Sequence, residues 1–121
     1  MRKKNAQDLV ARTRNFALAS LRLCAGLPKS TEVGLVRRQL VRAATSVGAN
    51  YRAARRAKSR RDFIAKLSIV EEEADECIYW LELLQEMTET GQAQLRALQS
   101  EADQLVAIVV ASKKTARKKG L

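Results

Sequence analysis

The sequence contains no histidine and has few aromatic residues, prolines or cysteines. Its 121 residues include no His, one Pro, two Cys and only 4% aromatics. Without His, the chain lacks the usual general base and the Glu-x-x-His motif of di-iron helical bundles. It also has no Gly-rich phosphate loop, Walker sequence or nucleophile elbow, and Ser46 and Ser68 have no candidate base nearby in sequence. We therefore expect a protein that is not an enzyme and needs no cofactor.

Long apolar runs are also missing. No stretch of about 18 apolar residues occurs, so we expect no transmembrane helix and no membrane partner. The N-terminal segment MRKKNAQDLV starts with basic residues but has no apolar core, so it does not resemble a secretory signal. These features predict a cytoplasmic protein. Cys24 and Cys77 both fall in apolar helical patterns, where a reduced Cys behaves as a small hydrophobic residue.

The residues that are abundant favour helices. Ala, Leu, Arg, Glu and Lys dominate, and 46% of the residues are hydrophobic. Apolar residues recur at steps of three and four in four segments, which predicts helices at about 6–25, 31–57, 60–89 and 92–112, followed by a basic tail at 113–121. Short connections favour antiparallel neighbours. The predicted fold class is therefore all-α: one up-down-up-down four-helix bundle over residues 1–112.

Turn and capping residues mark the predicted helix boundaries. Gly26 and Pro28 end the first helix, and Ser30 or Thr31 is the N-cap of the second. Ser59 caps the third helix, with Phe63 as the first core residue after it.

The second helix has two unusual residues within its apolar stripe. Gly48 should weaken the helix by about 1 kcal/mol relative to Ala, which predicts close helix packing or a slight bend there. Asn50 occupies a position that is otherwise apolar, so we expect it to be buried, hydrogen-bonded and important for register. Residues of the same helix are expected to join it in a structural polar set: Gln39, Arg42 and Ser46.

Charge is distributed unevenly along the chain. Residues 1–61 carry 16 Lys and Arg against two acids, residues 62–110 carry two bases against 11 acids, and residues 111–121 add five bases, for a net charge of +10. This arrangement suggests attraction between neighbouring helices and a positive surplus for an anionic partner. The acidic run at 71–76 could be imagined as a metal site, but it has no acid-rich helix to face it. We expect these acids to pair with bases of the second helix or of a neighbouring subunit.

The predicted topology brings three basic segments to one pole of the bundle: the chain start with Arg2, Lys3 and Lys4, the link between helices two and three, and the chain end. Such a surface is expected to bind RNA or DNA phosphates without reading sequence. Tyr51 is the only aromatic residue close by in sequence, so base stacking is not indicated. The alternative is a set of ordinary solvated helix ends. The predicted nucleic-acid-binding residues of the link and the chain end are Arg52, Arg55, Arg56, Lys58, Arg60, Arg61, Lys113, Lys114, Arg117, Lys118 and Lys119.

Helices three and four contain more apolar residues than one narrow stripe requires. Surplus apolar faces on a small bundle predict burial against a second copy of the chain. The residues off the main stripe are Ile78, Trp80, Leu83, Ile108 and Val110.

The segment from Gln39 to Leu84 resembles the core signature of the bacterial four helix bundle protein family, also called 23S rRNA intervening-sequence proteins. Its pattern is Q-L-x-R-A/S-A/G-x-S-I/V-x-A-N, a polar turn, S-x-x-D/E-F and a helix with L-x-I…E-A-x-E. The chain departs from many members in having Gly48 in place of Pro and Ala53–Ala57 in place of an acid-Gly turn. The matching residues are Gln39, Leu40, Arg42, Ala43, Ala44, Ser46, Val47, Ala49 and Asn50, then Ser59, Asp62, Phe63, Leu67, Ile69, Glu73, Ala74 and Glu76.

This resemblance implies an antiparallel four-helix bundle that assembles as a homopentamer, with no established enzymatic activity. Relatives include an accessory protein of diversity-generating retroelements, which acts with a reverse transcriptase and nucleic acid. The resemblance therefore implies a nucleic-acid-associated assembly protein. The alternative is a structural adaptor that binds a protein partner such as a reverse transcriptase, without touching nucleic acid itself.

Overall fold

Four helices joined by loops of four or five residues make up the part of the chain that the computed structural model describes, residues 6–119. They are α1 (Ala6–Ala25), α2 (Thr31–Arg55), α3 (Arg60–Met87) and α4 (Gln92–Lys119), and no strand occurs within that range. Within residues 6–119, each helix packs against its neighbours in sequence and α1 also packs against α4, whereas the backbones of the diagonal pairs do not approach closely. The predicted all-helical, four-helix arrangement is therefore confirmed.

The core follows the predicted spacing in α3 and α4. The steps of three and four place one residue per turn in the centre of the bundle. The positions buried there in α3 are Leu67, Val70, Ala74, Cys77, Leu81 and Leu84, and those in α4 are Leu95, Leu98, Ala102, Leu105 and Val109. Both cysteines are buried free thiols, as predicted.

In α1 the core stripe includes two polar residues that the sequence pattern missed. Thr13 and Ser20 are buried between the predicted apolar positions. Thr13 Oγ1 donates a hydrogen bond to the Leu9 carbonyl oxygen (2.8 Å), which lets its hydroxyl enter the core. Leu21, which the apolar spacing of the first helix places at the edge of the stripe, is exposed instead.

The helix starts are capped as predicted. Ser30 Oγ accepts a hydrogen bond from the Val33 N–H at the start of α2, and Ser59 Oγ accepts one from the Asp62 N–H at the start of α3. These bonds satisfy backbone donors that have no partner within the helix. Arg12 of α1 ties that helix to α4, since its guanidinium donates to both carboxylate oxygens of Glu101.

The predicted end of the fourth helix near residue 112 is wrong. α4 continues to Lys119, so residues 113–119 of the predicted tail are helical. The core spacing of α4 continues through Ser112 to Ala116, which is buried. Lys113 Nζ donates to Glu71 Oε1 of α3 at 2.8 Å. The many lysines hid this continuation of the stripe. Among residues 6–119, no helix is long and apolar enough to cross a membrane.

Candidate nucleic-acid interface

The end of α2, the start of α3 and the end of α4 lie at the same pole of the bundle. A cavity of about 770 Å³ has Arg60 of α3 and Lys119 of α4 in its lining, so these helix ends are neighbours. A second cavity is lined by Val10 of α1 together with Arg52, Arg55 and Arg56 of α2. The segments therefore meet as the topology predicted. Arg2, Lys3 and Lys4 lie outside the described residues, so their part in this pole stays a prediction.

Ten of the eleven predicted binding residues share one environment, which we call the basic pole. All ten side chains are exposed. None has a carboxylate within ion-pair distance among residues 9–119, whose side chains the structure describes. Their charges therefore face solvent without a direct ion pair, although Lys58 lies close enough to Asp62 to help lower the pKa of that carboxyl group. The basic pole consists of Arg52, Arg55, Arg56, Lys58, Arg60, Arg61, Lys114, Arg117, Lys118 and Lys119.

Lys113 differs from the other ten predicted residues. Its side chain is only 14% exposed and forms an ion pair with Glu71. A half-buried, paired ammonium holds α4 against α3 and is less available to an external phosphate. We therefore assign Lys113 to the fold and leave it out of the basic pole.

Asp62 is the acid at the start of α3, within this region. Lys66 Nζ donates to Asp62 Oδ1 at 2.7 Å, and the Lys58 backbone N–H donates to Oδ2. The hydrogen bond from Lys66 is the main cause that lowers the pKa of Asp62 below its ordinary value, and the Lys58 N–H adds to it. Asp62 is thus ionised at neutral pH, but its charge is balanced locally by Lys66.

The aromatic residue at this pole is different from the one that the sequence suggested. Tyr51 is buried, and that burial raises the pKa of its hydroxyl, with Arg55 opposing the shift. Its ring cannot reach a ligand. Phe63 was predicted to be a core anchor, but it is only partly buried and lines the cavity between α3 and α4. Its position in the cavity wall depends on how far α4 extends, which the sequence pattern did not reveal.

The predicted polar set of α2 does not form a single buried network. Asn50 is only partly buried, and its Nδ2 donates to the carbonyl oxygen and to the Oγ of Ser46. The core position at this level of α2 is occupied by Tyr51, which is buried. Gln39 is exposed. The predicted hydrogen bonding of Asn50 within the set is therefore confirmed for Ser46, whereas its predicted full burial in the stripe is wrong.

Arg42 connects α2 with the acidic run of α3. Its Nη2 donates to Glu76 Oε2 at 2.5 Å and its Nη1 to Glu73 Oε1 at 3.3 Å. The expected pairing with the second helix is therefore confirmed for Glu73 and Glu76, whereas Glu71 pairs with Lys113 of α4. Trp80 Nε1 also donates to Glu76 Oε2. No cluster of three acidic or thiol side chains suited to a metal ion occurs among the residues with described side chains.

An apolar patch flanks the Arg42–Glu76 pair on the outside of α2 and α3. Leu35 lies two helical turns before Arg42, and Ile69 lies two turns before Glu76, so each shares the face of its paired residue. Leu35 is 56% exposed, Ile69 is 41% exposed, and Tyr79, one turn after Glu76 in α3, is 53% exposed. We call these three residues the outer patch. The residues predicted to form surplus apolar surface, such as Ile78 and Trp80, instead lie partly buried against the core.

Comparison with known proteins finds a matching family model and matching solved structures. The family model described as 23S rRNA-intervening sequence protein matches residues 6–111. A crystal structure of a protein with unknown function from the S23 ribosomal protein family, from Bacteroides thetaiotaomicron VPI-5482, superposes with a TM-score of 0.82. The two chains are 30% identical, over 90% of this chain and 97% of that chain. The comparison with curated proteins finds no match.

Proposed function

The chain belongs to the 23S rRNA-intervening sequence protein family, and from its charge distribution we propose that it is a non-enzymatic, homo-oligomeric helical bundle that binds RNA or DNA phosphates through the basic pole. The observation that carries the proposal is the gathering of ten exposed, unpaired bases at one end of the described bundle. The acids of α3 are, in contrast, engaged in part by Arg42 and Lys113.

The expected mode of binding is contact with the phosphate backbone. Flexible Lys and Arg side chains on helix ends can follow phosphates but offer no rigid array for reading base edges. Such binding releases counterions, so the affinity should fall steeply as salt rises. The name of the family refers to ribosomal RNA, which makes structured RNA the first polyanion to test and DNA of equal length the second.

A filter-binding titration against salt tests this proposal. The triple variant Arg56→Gln, Arg61→Gln and Lys118→Gln removes one base from each of the three helix ends of the basic pole. The logarithm of the binding constant should then depend less steeply on the logarithm of salt, by about 2 to 3 in slope.

The matched control removes the same charge from the opposite pole. Arg22, Arg38 and Arg96 are exposed and lie near the end of α1, in the first half of α2 and near the start of α4. Changing these three to Gln should leave the slope within about 1 of the wild-type value. Absence of binding to RNA and DNA at about 50 mM salt would overturn the proposal. That result would favour the adaptor that binds a protein partner such as a reverse transcriptase.

Assembly is the second part of the proposal, with a pentamer as the expected state. The outer patch supports it, because three large exposed apolar side chains on the face that carries the Arg42–Glu76 ion pair are typical of an interface. Leu35→Asp should place an unpaired charge in that interface and yield monomers by light scattering at micromolar concentration. Leu21→Asp, at an exposed leucine of α1, should leave the assembly intact. A monomeric wild-type protein would contradict the proposed assembly.

A further inference from the structure

Inside the basic pole, one cavity combines an apolar floor with two cationic side chains in its lining. It lies between the first turn of α3 and the last turns of α4 and has a volume of about 770 Å³. Phe63, Ile108 and Ala111 contribute apolar surface, and Ser112 and Thr115 add hydroxyl groups. Arg60 and Lys119 complete its lining, and both side chains are exposed.

The volume and chemistry of this cavity suit a small flat ligand that carries negative charge. Its volume falls within the range of about 300–1,000 Å³ that is usual for small-molecule sites. Phe63 and Ile108 pack against the core on one side, so the wall of the cavity is held in place. The ring of Phe63 offers a surface for stacking, because an aromatic ring that lines a cavity can contact a second flat π-system.

We propose that this cavity receives a single unpaired base of the bound RNA or DNA, stacked on Phe63, with the flanking phosphates at Arg60 and Lys119. The proposal rests on the nucleic-acid binding proposed above and gives it a preference for unpaired nucleotides. A lining that combines apolar surface with two cations matches a nucleotide, which combines a flat base with phosphates. A site that contacts only the backbone of a duplex would need the cations but no apolar floor. A site that receives an apolar side chain from a second copy would need the floor but no cations.

The test compares two 20-base-pair RNA duplexes, and then the same pair in DNA, that differ only by one unpaired purine bulge. The two duplexes carry nearly the same charge, so the salt-dependent backbone contribution cancels in the ratio of their affinities. Stacking of a base on a protein aromatic contributes about 5- to 150-fold in affinity. The full-length wild-type protein should therefore bind the bulged duplex at least about fivefold more tightly than the perfect one.

Two substitutions at Phe63 separate stacking from packing. Phe63→Leu keeps an apolar side chain of similar size but removes the aromatic face, so the preference for the bulge should vanish while binding of the perfect duplex stays unchanged. Phe63→Tyr keeps the ring and should retain the preference. Thermal unfolding of both variants checks that the bundle remains folded.

The outcomes distinguish this inference from the function on which it rests. If neither duplex binds at about 50 mM salt, the proposed nucleic-acid binding fails, and this inference with it. If both duplexes bind equally, or if Phe63→Leu retains the bulge preference, only this inference is overturned. A loss of assembly in Phe63→Leu without a change in bulge preference would assign the cavity to a contact between copies and would likewise overturn it.

Discussion

Gly48 of α2 lies directly against Thr13 of α1. A Cβ atom on Gly48 would stand 3.2 Å from Thr13 Oγ1 and 3.5 Å from the Thr13 backbone carbonyl carbon. Contacts that tight require the neighbour to shift, and Thr13 is buried and held by its hydrogen bond to the Leu9 carbonyl. Gly48 lowers the helix propensity of α2, but its lack of a side chain permits the close packing of α1 against α2.

Replacing Gly48 with Ala should destabilise the protein relative to the same change at Gly34. Both glycines lie within α2, so both substitutions should gain about 1 kcal/mol of helix propensity. At Gly34 the new methyl group would meet only the end of the flexible Arg37 side chain at 3.7 Å, so the gain should appear in full. At Gly48, overpacking against Thr13 should cost about 1–3 kcal/mol, which would cancel or reverse the gain in helix propensity. Urea unfolding of the two variants measures the difference.

A double variant identifies the contact responsible. Thr13→Ala removes Oγ1, so Gly48→Ala should be less harmful in that background, with a favourable coupling of about 0.5 kcal/mol or more. Equal stabilisation by Ala at Gly34 and Gly48 would contradict the close approach.

Deleting residues 113–121 should destabilise the bundle, because the last two turns of α4 are part of its packing. The deletion removes the Lys113–Glu71 ion pair and the buried methyl group of Ala116. Together these contribute about 1–2 kcal/mol to the free energy of unfolding. A control that changes Arg117, Lys118 and Lys119 to Gln keeps the helix and should leave stability within about 0.5 kcal/mol of wild type. Unchanged urea unfolding of the truncated chain would mean that the segment is a dispensable tail.

The sequence was sufficient to predict the helices and most of the core because strict steps of three and four leave one arrangement for the apolar residues. The sequence was less informative where polar residues occupy or surround core positions of an otherwise apolar stripe. Thr13 and Ser20 occupy core positions of α1 through small side chains, and Ala116 continues the core among lysines. In the candidate site, the predicted up-down-up-down topology was enough to place the basic helix ends at the same pole. The pairing of Lys113 and the cavity beside Phe63 depend on how α3 and α4 face each other, which spacing along one helix does not determine.

Acidification should weaken the bundle in part through Glu76. The hydrogen bond from Trp80 Nε1 is the largest cause that lowers the pKa of Glu76 below its ordinary value of 4.5, followed by the hydrogen bond from Arg42. A carboxyl group whose pKa is lower in the folded state stabilises the protein above pH 4.5, and this contribution is lost as the pH falls from about 4.5 through the folded-state pKa. Glu76→Gln should therefore reduce the free energy of unfolding at pH 7 and flatten its dependence on pH below about 4.5.

Trp80 provides a direct measurement of this titration, because it is the only tryptophan in the chain. Its native-state fluorescence should change as Glu76 protonates, and the change should be absent in Glu76→Gln. Asp62 also has a lowered pKa, so some pH dependence should remain in that variant. The control Glu82→Gln, at an exposed position of α3, should behave as the wild type. An acid unfolding curve that Glu76→Gln does not alter would contradict the assignment.

Ser20→Ala should stabilise the protein. The Ser20 hydroxyl is fully buried, and its Oγ has no hydrogen-bond partner among the described residues. Burying an unpaired hydroxyl costs about 1–3 kcal/mol, and Ala removes that cost while keeping the helix. The exposed Ser100 of α4 is a matched control, because Ser100→Ala gains helix propensity alone. Urea unfolding should show a larger gain for Ser20→Ala, and an equal or smaller gain would mean that the buried hydroxyl is satisfied in solution.

The two cysteines should be protected from thiol reagents in the folded protein, and to different degrees. Burial is the main cause that raises the pKa of Cys77 to about 12, with Glu73 and Glu76 adding to it. Burial also raises the pKa of Cys24, although Arg37 opposes the shift. Reaction with DTNB at pH 8 therefore requires an opening event, because the thiolate is the reactive form.

Cys24 lies in the last turn of α1, whereas Cys77 lies in the middle of α3 with no exposed surface. Helix ends open locally at a lower free energy than the centre of a bundle. In the single-cysteine variants Cys77→Ala and Cys24→Ala, the remaining Cys24 should therefore react at least about tenfold faster than the remaining Cys77, and the two rates should converge in denaturing urea. Equal rates without denaturant would indicate that α1 opens only together with the whole bundle.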